Sequence, residues 1–152
     1  GVTGKSSLQT WLPHFTNGQT ILLVHNTFIS EEDIIFAKQH AEKNGLHLIY
    51  CLCPNANLYI ENALPPVELL TKHNCHIVLG TDSYSSNWQL SIAAEIKTLK
   101  GRSDVSLETL LQWATSNSAA ALGLQQYGSF TKGTQPGVVL LNETDFTTQR
   151  IV

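Results

Sequence analysis

Charge is what this sequence has least of. Asp, Glu, Lys and Arg make up only 14% of its 152 residues, against about 25% in an ordinary soluble domain. Net charge is −3 with the six histidines neutral, and no basic stripe runs along any segment, so nucleic-acid binding through phosphates is set aside. Long apolar runs are missing as well. The Ile21–Val24 run falls far short of the roughly 20 residues of a membrane span, and no secretory pattern precedes it. The three cysteines, Cys51, Cys53 and Cys75, are odd in number and make no disulfide framework, which points to a reducing cytoplasm. The chain opens at Gly1 without an initiator Met; a trimmed chain or a piece of a longer protein is expected. Hydrophobic residues, at 42%, are near average, which leaves no room for a disordered or collagen-like reading. The length suits about one domain and is short of the roughly 250 residues of a closed (β/α)₈ barrel.

Three short apolar runs are present: Ile21–His25, Leu46–Cys53 and His76–Thr81. Each is too short and too uniformly apolar for an amphipathic helix and reads as a strand buried on both faces. Helical patterns separate them. Ser30 followed by Glu31, Glu32 and Asp33 is a capped start with acids in the first turn, closed at Asn44-Gly45. Pro65-Pro66 opens a second helix that runs to His73. Two successive βαβ units follow, and with them a parallel sheet. Further on, helices are expected over Asn87–Lys100 and, capped by Ser106, up to Gly123. The tail changes character. Gly128–Gly133 and Gly137–Leu141 read as turn-linked β strands.

Parallel strands gather function at their C-terminal ends. Those ends carry His25-Asn26-Thr27, a polar turn Cys53-Pro54-Asn55-Ala56-Asn57, and Gly80-Thr81-Asp82-Ser83. A lone strand-end His is often a packed core residue and a lone Asp often a helix cap, but an imidazole, a Pro-Asn turn and a carboxylate on one rim suggest a catalytic site.

In order, Leu23-Val24-His25-Asn26, Cys53-Pro54-Asn55-Ala56-Asn57-Leu58 and Leu79-Gly80-Thr81-Asp82-Ser83 with Ser85-Ser86-Asn87 resemble the last three strands of an amidohydrolase-superfamily barrel. The chlorohydrolase and nucleobase or S-adenosylhomocysteine deaminase branch is the nearest pattern. Leu111–Asn117, Ala119–Gly123 and Gly128–Gly133 are similar to the run that leads from that barrel into a small β domain. The resemblance implies an α/β fold: residues 1–124 as the C-terminal part of a (β/α)₈ TIM barrel, with three parallel strands and flanking helices, and residues 125–152 as strands of a small β domain. It implies hydrolytic deamination of a nucleobase-like or nucleoside-like compound by a metal-activated water. Asp82 then matches a metal ligand that also takes the water's proton, and His25 the histidine that polarises substrate or stabilises the tetrahedral intermediate. Asn57 and Asn87 match substrate-binding loop positions. The implied cofactor is a divalent metal, zinc or iron, in the full-length parent and not bound by this chain alone. The implied partners are a small-molecule substrate and the missing N-terminal half of the barrel, with self-association of the isolated chain through its uncovered strands.

The sequence also departs from the family. Leu52 stands where the seventh-strand motif commonly has histidine, and Pro136-Gly137 replaces Ala-Asp in the tail. The family's His-x-His pair, fifth-strand histidine and general-acid glutamate are not in these residues. Three other patterns carry less. Gly1–Ser6 looks like the end of a phosphate-binding loop with the wrong spacing, and reads as a loop capping a short helix. His47, Cys51 and Cys53 share a strand face and suggest a small zinc site, against buried sheet cysteines as the plainer reading. His73-x-x-His76 straddles a helix end. Against the enzyme stands a non-catalytic α/β module acting by protein association.

Overall fold

The computed structural model describes residues 4–152; the first three residues of the Gly1–Ser6 run lie outside them. Ser6 caps helix α1 (Ser7–Trp11), its Oγ accepting from Gln9 N at 3.2 Å. The order is then β1 (Thr20–Val24), α2 (Glu31–Asn44), β2 (His47–Leu52), α3 (Pro54–Glu61), α4 (Val67–Lys72), β3 (Ile77–Leu79) and α5 (Ile92–Lys100). α6 (Leu107–Gln112) continues through one π turn (Trp113–Asn117) into α7 (Ser118–Ala121), before a hairpin of β4 (Val139–Leu141) and β5 (Thr148–Arg150).

The first three strands form a parallel sheet in the order β1-β2-β3, with Val24 opposite Cys51 and Cys51 opposite Val78. α2 begins as the acids suggest: Ser30 Oγ accepts from Asp33 N, and the Asp33 carboxylate accepts from Ser30 N at 3.1 Å. This is a capping box. Alternation along the strands sends Tyr50, Leu52, Ile77 and Leu79 against Ile34, Leu70, Ile96, Leu99, Leu110 and Trp113, which is the main core. The opposite face holds Ile49, Cys51, Cys53 and Val78 over Ala56. That second face is closed at β2 and β3 but bare at β1, where Leu22 and Val24 are 49% and 46% exposed. The outer edge of β3 runs beside the π turn, from which Asn117 Nδ2 donates to Ile77 O at 3.0 Å.

Several expectations need correcting. The Pro54 turn is the first turn of α3. Proline marks turns and helix N-termini alike, and here its missing N–H falls where a helix has no use for it. The helix expected from Asn87 starts only at Ile92, because Ser91 caps it with Oγ accepting from Ala94 N. The helix expected after Ser106 runs as far as Ala121, with one π turn inside it. In the tail, Gly128–Gly133 forms no strand; the partner of Val139–Leu141 is Thr148–Arg150, antiparallel. Gly128 instead presses on the π-turn segment: a Cβ there would stand 2.7 Å from Thr115 O, at a φ of +82°. The tail also touches the α/β unit through Phe146, which packs on the main core, and Lys97 Nζ, which donates to Asp145 O.

Candidate functional site

At the C-terminal ends of the strands the backbone turns unusual. His25 and Asn26 have φ of +70° and +58°, and Asp82 has φ of +58°. Such angles in non-glycine residues are uncommon, and each costs about 1–3 kcal/mol unless the surroundings enforce them. His25 is held by its own N–H donating to Cys51 O at 2.9 Å, and Asn26 Nδ2 caps the strand end at Leu23 O, 2.8 Å away. The two left-handed turns aim His25 and Asp82 at each other: Nε2 lies 3.7 Å from Oδ2, with side chains 37% and 32% exposed. Ser86 Oγ donates to the same Asp82 oxygen at 2.7 Å. The sheet thus presents an imidazole and a carboxylate side by side on a solvent-reached rim, although they leave the chain at the first and third strands.

Asn87 lies in a loop as expected, whereas Asn57 falls inside a helix, and both are buried. Asn57 sits in the first turn of α3, 1% exposed, its Nδ2 donating to Thr27 Oγ1. Among the described residues its Oδ1 finds no hydrogen-bond partner. Asn87 is 4% exposed; its Nδ2 donates to Thr81 O at 2.7 Å and to Glu95 Oε1 at 2.8 Å. Glu95 itself is fully buried, and its other oxygen accepts from Asn55 N at 2.7 Å. Asn55 Oδ1 accepts in turn from Thr98 Oγ1. Burial pushes the Glu95 carboxyl above the usual carboxylate range, and the Asn55 and Asn87 bonds counter it only in part. Sequence reasoning missed Glu95, and it placed Asn55 and Thr27 at the strand ends without a role. A signal for Glu95 was available: it falls on the apolar stripe formed by Ile92, Ile96 and Leu99, where an acid needs a buried partner.

The other candidates do not assemble. Cys51 and Cys53 lie together under Gly80, whose added Cβ would meet their Sγ atoms at 2.9 and 3.2 Å. The hydrogen bond with Cys51 and burial keep Cys53 a thiol, whereas a metal takes the thiolate. His47 stands at the other end of β2. His73 Nε2 is engaged with Glu31 at 2.7 Å, beside Lys72. Among the described residues no three His, Cys, Asp or Glu side chains converge to hold a metal. The rim offers Asp82 and, next to it, His25, which is short of the three protein ligands of a catalytic zinc. These residues fit one side of a metal centre and do not complete it.

The amidohydrolase family's sequence model matches residues 6–150. The chain is 31% identical over 137 residues to the 5-methylthioadenosine/S-adenosylhomocysteine deaminase of Teredinibacter turnerae, covering 84% of this chain and 30% of that protein. It thus spans about a third of the length of the curated relatives it matches. An adenosine deaminase from Xanthomonas campestris, solved with bound zinc, superposes with a TM-score of 0.63 at 26% identity, over 82% of this chain and 29% of that one. The zinc-complexed atrazine chlorohydrolase of Arthrobacter aurescens shares the fold, with a TM-score of 0.64 at 17% identity over 78% of this chain and 27% of its own.

Proposed function

The chain belongs to the amidohydrolase family, and on that premise we propose that it supplies one side of the active site of a metal-dependent deaminase acting on a nucleoside-like or nucleobase-like amine. The reading treats β1, β2 and β3 as the last three strands of a (β/α)₈ barrel and the β4–β5 hairpin as part of a small β domain that starts near residue 125. The observation that carries it is the convergence of His25 and Asp82 at 3.7 Å, on left-handed turns at two strand ends. The deaminases among the relatives support the reaction class, and the zinc in two structural neighbours supports a divalent metal.

The reaction exchanges an amine for oxygen: water adds at the carbon bearing the amine, and ammonia leaves. A bound divalent metal brings the pKa of its water down to about 7. Asp82 is the residue of this chain that would hold the metal, and its carboxylate would take a proton from the attacking water and return it to the leaving amine. His25 polarises the substrate or donates to the added oxygen as the carbon becomes tetrahedral, while the electron pair of the C=N bond under attack moves to its nitrogen. Ser86 fixes the Asp82 carboxylate by donating to Oδ2. Asn57 and Asn87, the substrate-binding candidates, act by shaping the loops that bound the pocket, since both amides are buried. The 152 residues alone hold too few ligands for zinc and are expected to be inactive. Their thiols suit a cytoplasmic setting.

The test is ammonia release from a panel of adenosine-type nucleosides and free aminated bases, by the whole metal-loaded protein with and without Asp82→Asn. Release that disappears in the variant supports the reading. Normal turnover by Asp82→Asn, or no release from any compound, overturns it.

A further inference from the structure

Glu95 is the most deeply buried acid among the described residues, and the deaminase reading does not use it. It projects from the apolar stripe of α5, 0% exposed, within 3 Å of donors on two other segments. A carboxylate there is expensive: a well-packed apolar residue at such a position is often neutral or more stable. Its retention therefore calls for something a hydrophobic side chain cannot do.

Both donors supply it. One is Asn55 N, in the first turn of α3, a helix whose N-cap residue Cys53 makes no side-chain cap bond and whose next residue is proline. Glu95 thus caps α3 from a different helix, with its charge where the α3 dipole favours an anion. The other is Asn87 Nδ2, which also holds Thr81 O, the carbonyl just before Asp82. The remaining side-chain hydrogen bonds of residues 81–89 given by the structure close within that loop: Thr81 to Asp82, Ser83 to Ser85 and Ser86, Ser86 to Asp82 and Asn87 to Gln89. Apart from the surface ring contact of Trp88 with Tyr59, the Asn87–Glu95 bond ties this self-bonded loop to the helices. α3 reaches the other catalytic candidate as well, since Asn57 Nδ2 donates to Thr27, two residues beyond His25.

We propose that Glu95 is a positioning residue: it locks the Asp82 loop to the start of α3 and so sets the distance between Asp82 and His25. This rests on the deaminase reading for its consequence in turnover, though not for the clamp itself. Glu95→Gln keeps the shape but offers an NH₂ group to one of the two donors, which breaks one side of the clamp.

The experiment uses the whole metal-loaded protein. In Glu95→Gln, kcat is expected to fall about tenfold or more, as a small misplacement of reacting groups does, with KM within about twofold of the parent value. Amide exchange followed by mass spectrometry should quicken in the peptide covering residues 80–91 and stay unchanged in those covering α2 and β2, whereas a general loss of stability would move them all. Asn87→Ala should do the same, and the double variant should be no worse than the worse single one, because both act through one bond. Should Glu95→Gln not fold, Asn87→Ala decides alone. Parental kcat together with parental exchange at 80–91 in either folded variant overturns the clamp, as does exchange that rises uniformly. If the parent protein deaminates nothing, the function is lost while the exchange comparison still settles the clamp.

Discussion

Two nearly buried carboxylates meet opposite fates. Asp33, on the N-terminal flank, is 6% exposed and takes four donors: Ser6 Oγ and Gln9 Nε2 on one oxygen, and the backbone N and Oγ of Ser30 on the other. Burial raises its pKa, but the bonds from Ser6, Ser30 and Gln9 outweigh it and hold the carboxyl below the usual range. Glu95, on the rim, takes two donors in deeper burial, and the balance falls the other way. Donor count against desolvation decides the sign. Asp33 ties α1 to α2 and strengthens the fold, while Glu95 sits at a cost to hold a site.

The sharpest break in that comparison is functional. Asp82→Asn, on the rim, should lower turnover of the whole protein by about 10²–10⁴-fold, and His25→Ala by about 10²-fold. Asp33→Asn should leave kcat within about twofold in the same assay. Stability reverses the ranking. Asp33→Ala leaves the donors of Ser6, Gln9 and Ser30 unanswered and should cost about 1–3 kcal/mol in urea unfolding, well beyond any loss from Glu95→Gln at neutral pH. The pH dependence separates the two acids next. With a folded pKa below 3.8, Asp33 contributes stability that is full above that value and lost as pH falls through the folded pKa. With a folded pKa above 4.5, Glu95 contributes stability that is full below that value and lost as pH rises through the folded pKa. Urea midpoints taken from pH 4 to pH 7 should therefore show Glu95→Gln gaining on the parent chain as pH rises. An Asp33→Asn variant should keep a constant deficit over the same range and close it only at lower pH, as the Asp33 carboxylate of the parent chain is protonated. The smallest effect concerns the bare strand: Leu22 and Val24 of β1 are exposed in one cleft with Trp11 of α1 and Phe28 of the following loop, a patch of the kind that drives association. Sedimentation of the 152 residues by themselves should show self-association that Val24→Lys weakens.

The alternation of strand and helix was readable because uniform apolar runs between capped helices admit few other arrangements, and β1, β2 and β3 differ from expectation by only a residue or two at each end. His25 and Asp82 were readable too, as strand-end residues. What was hidden was the wiring between loops. Pro54-Asn55 signals a turn and a helix start equally, so the amide that Glu95 caps could not be placed beforehand. Glu95 itself shows in sequence only as an acid among aliphatics, and its partners lie 40 and 8 residues away. Nor could the tail pairing be foreseen: Gly128–Gly133 has strand-like spacing, but the close approach of Gly128 to Thr115 O takes that stretch for a turn against the π segment.

That π segment has one more consequence. Asn117 occupies the outer carbonyl of β3 at Ile77, while Leu22 and Val24 of β1, on the far side, stay 49% and 46% exposed. A sheet with two sticky borders polymerises; one with a single sticky border stops at a pair. The amide of Asn117 therefore works as a chain terminator, and any assembly of this sheet through its borders should end at two copies instead of growing into a fibre.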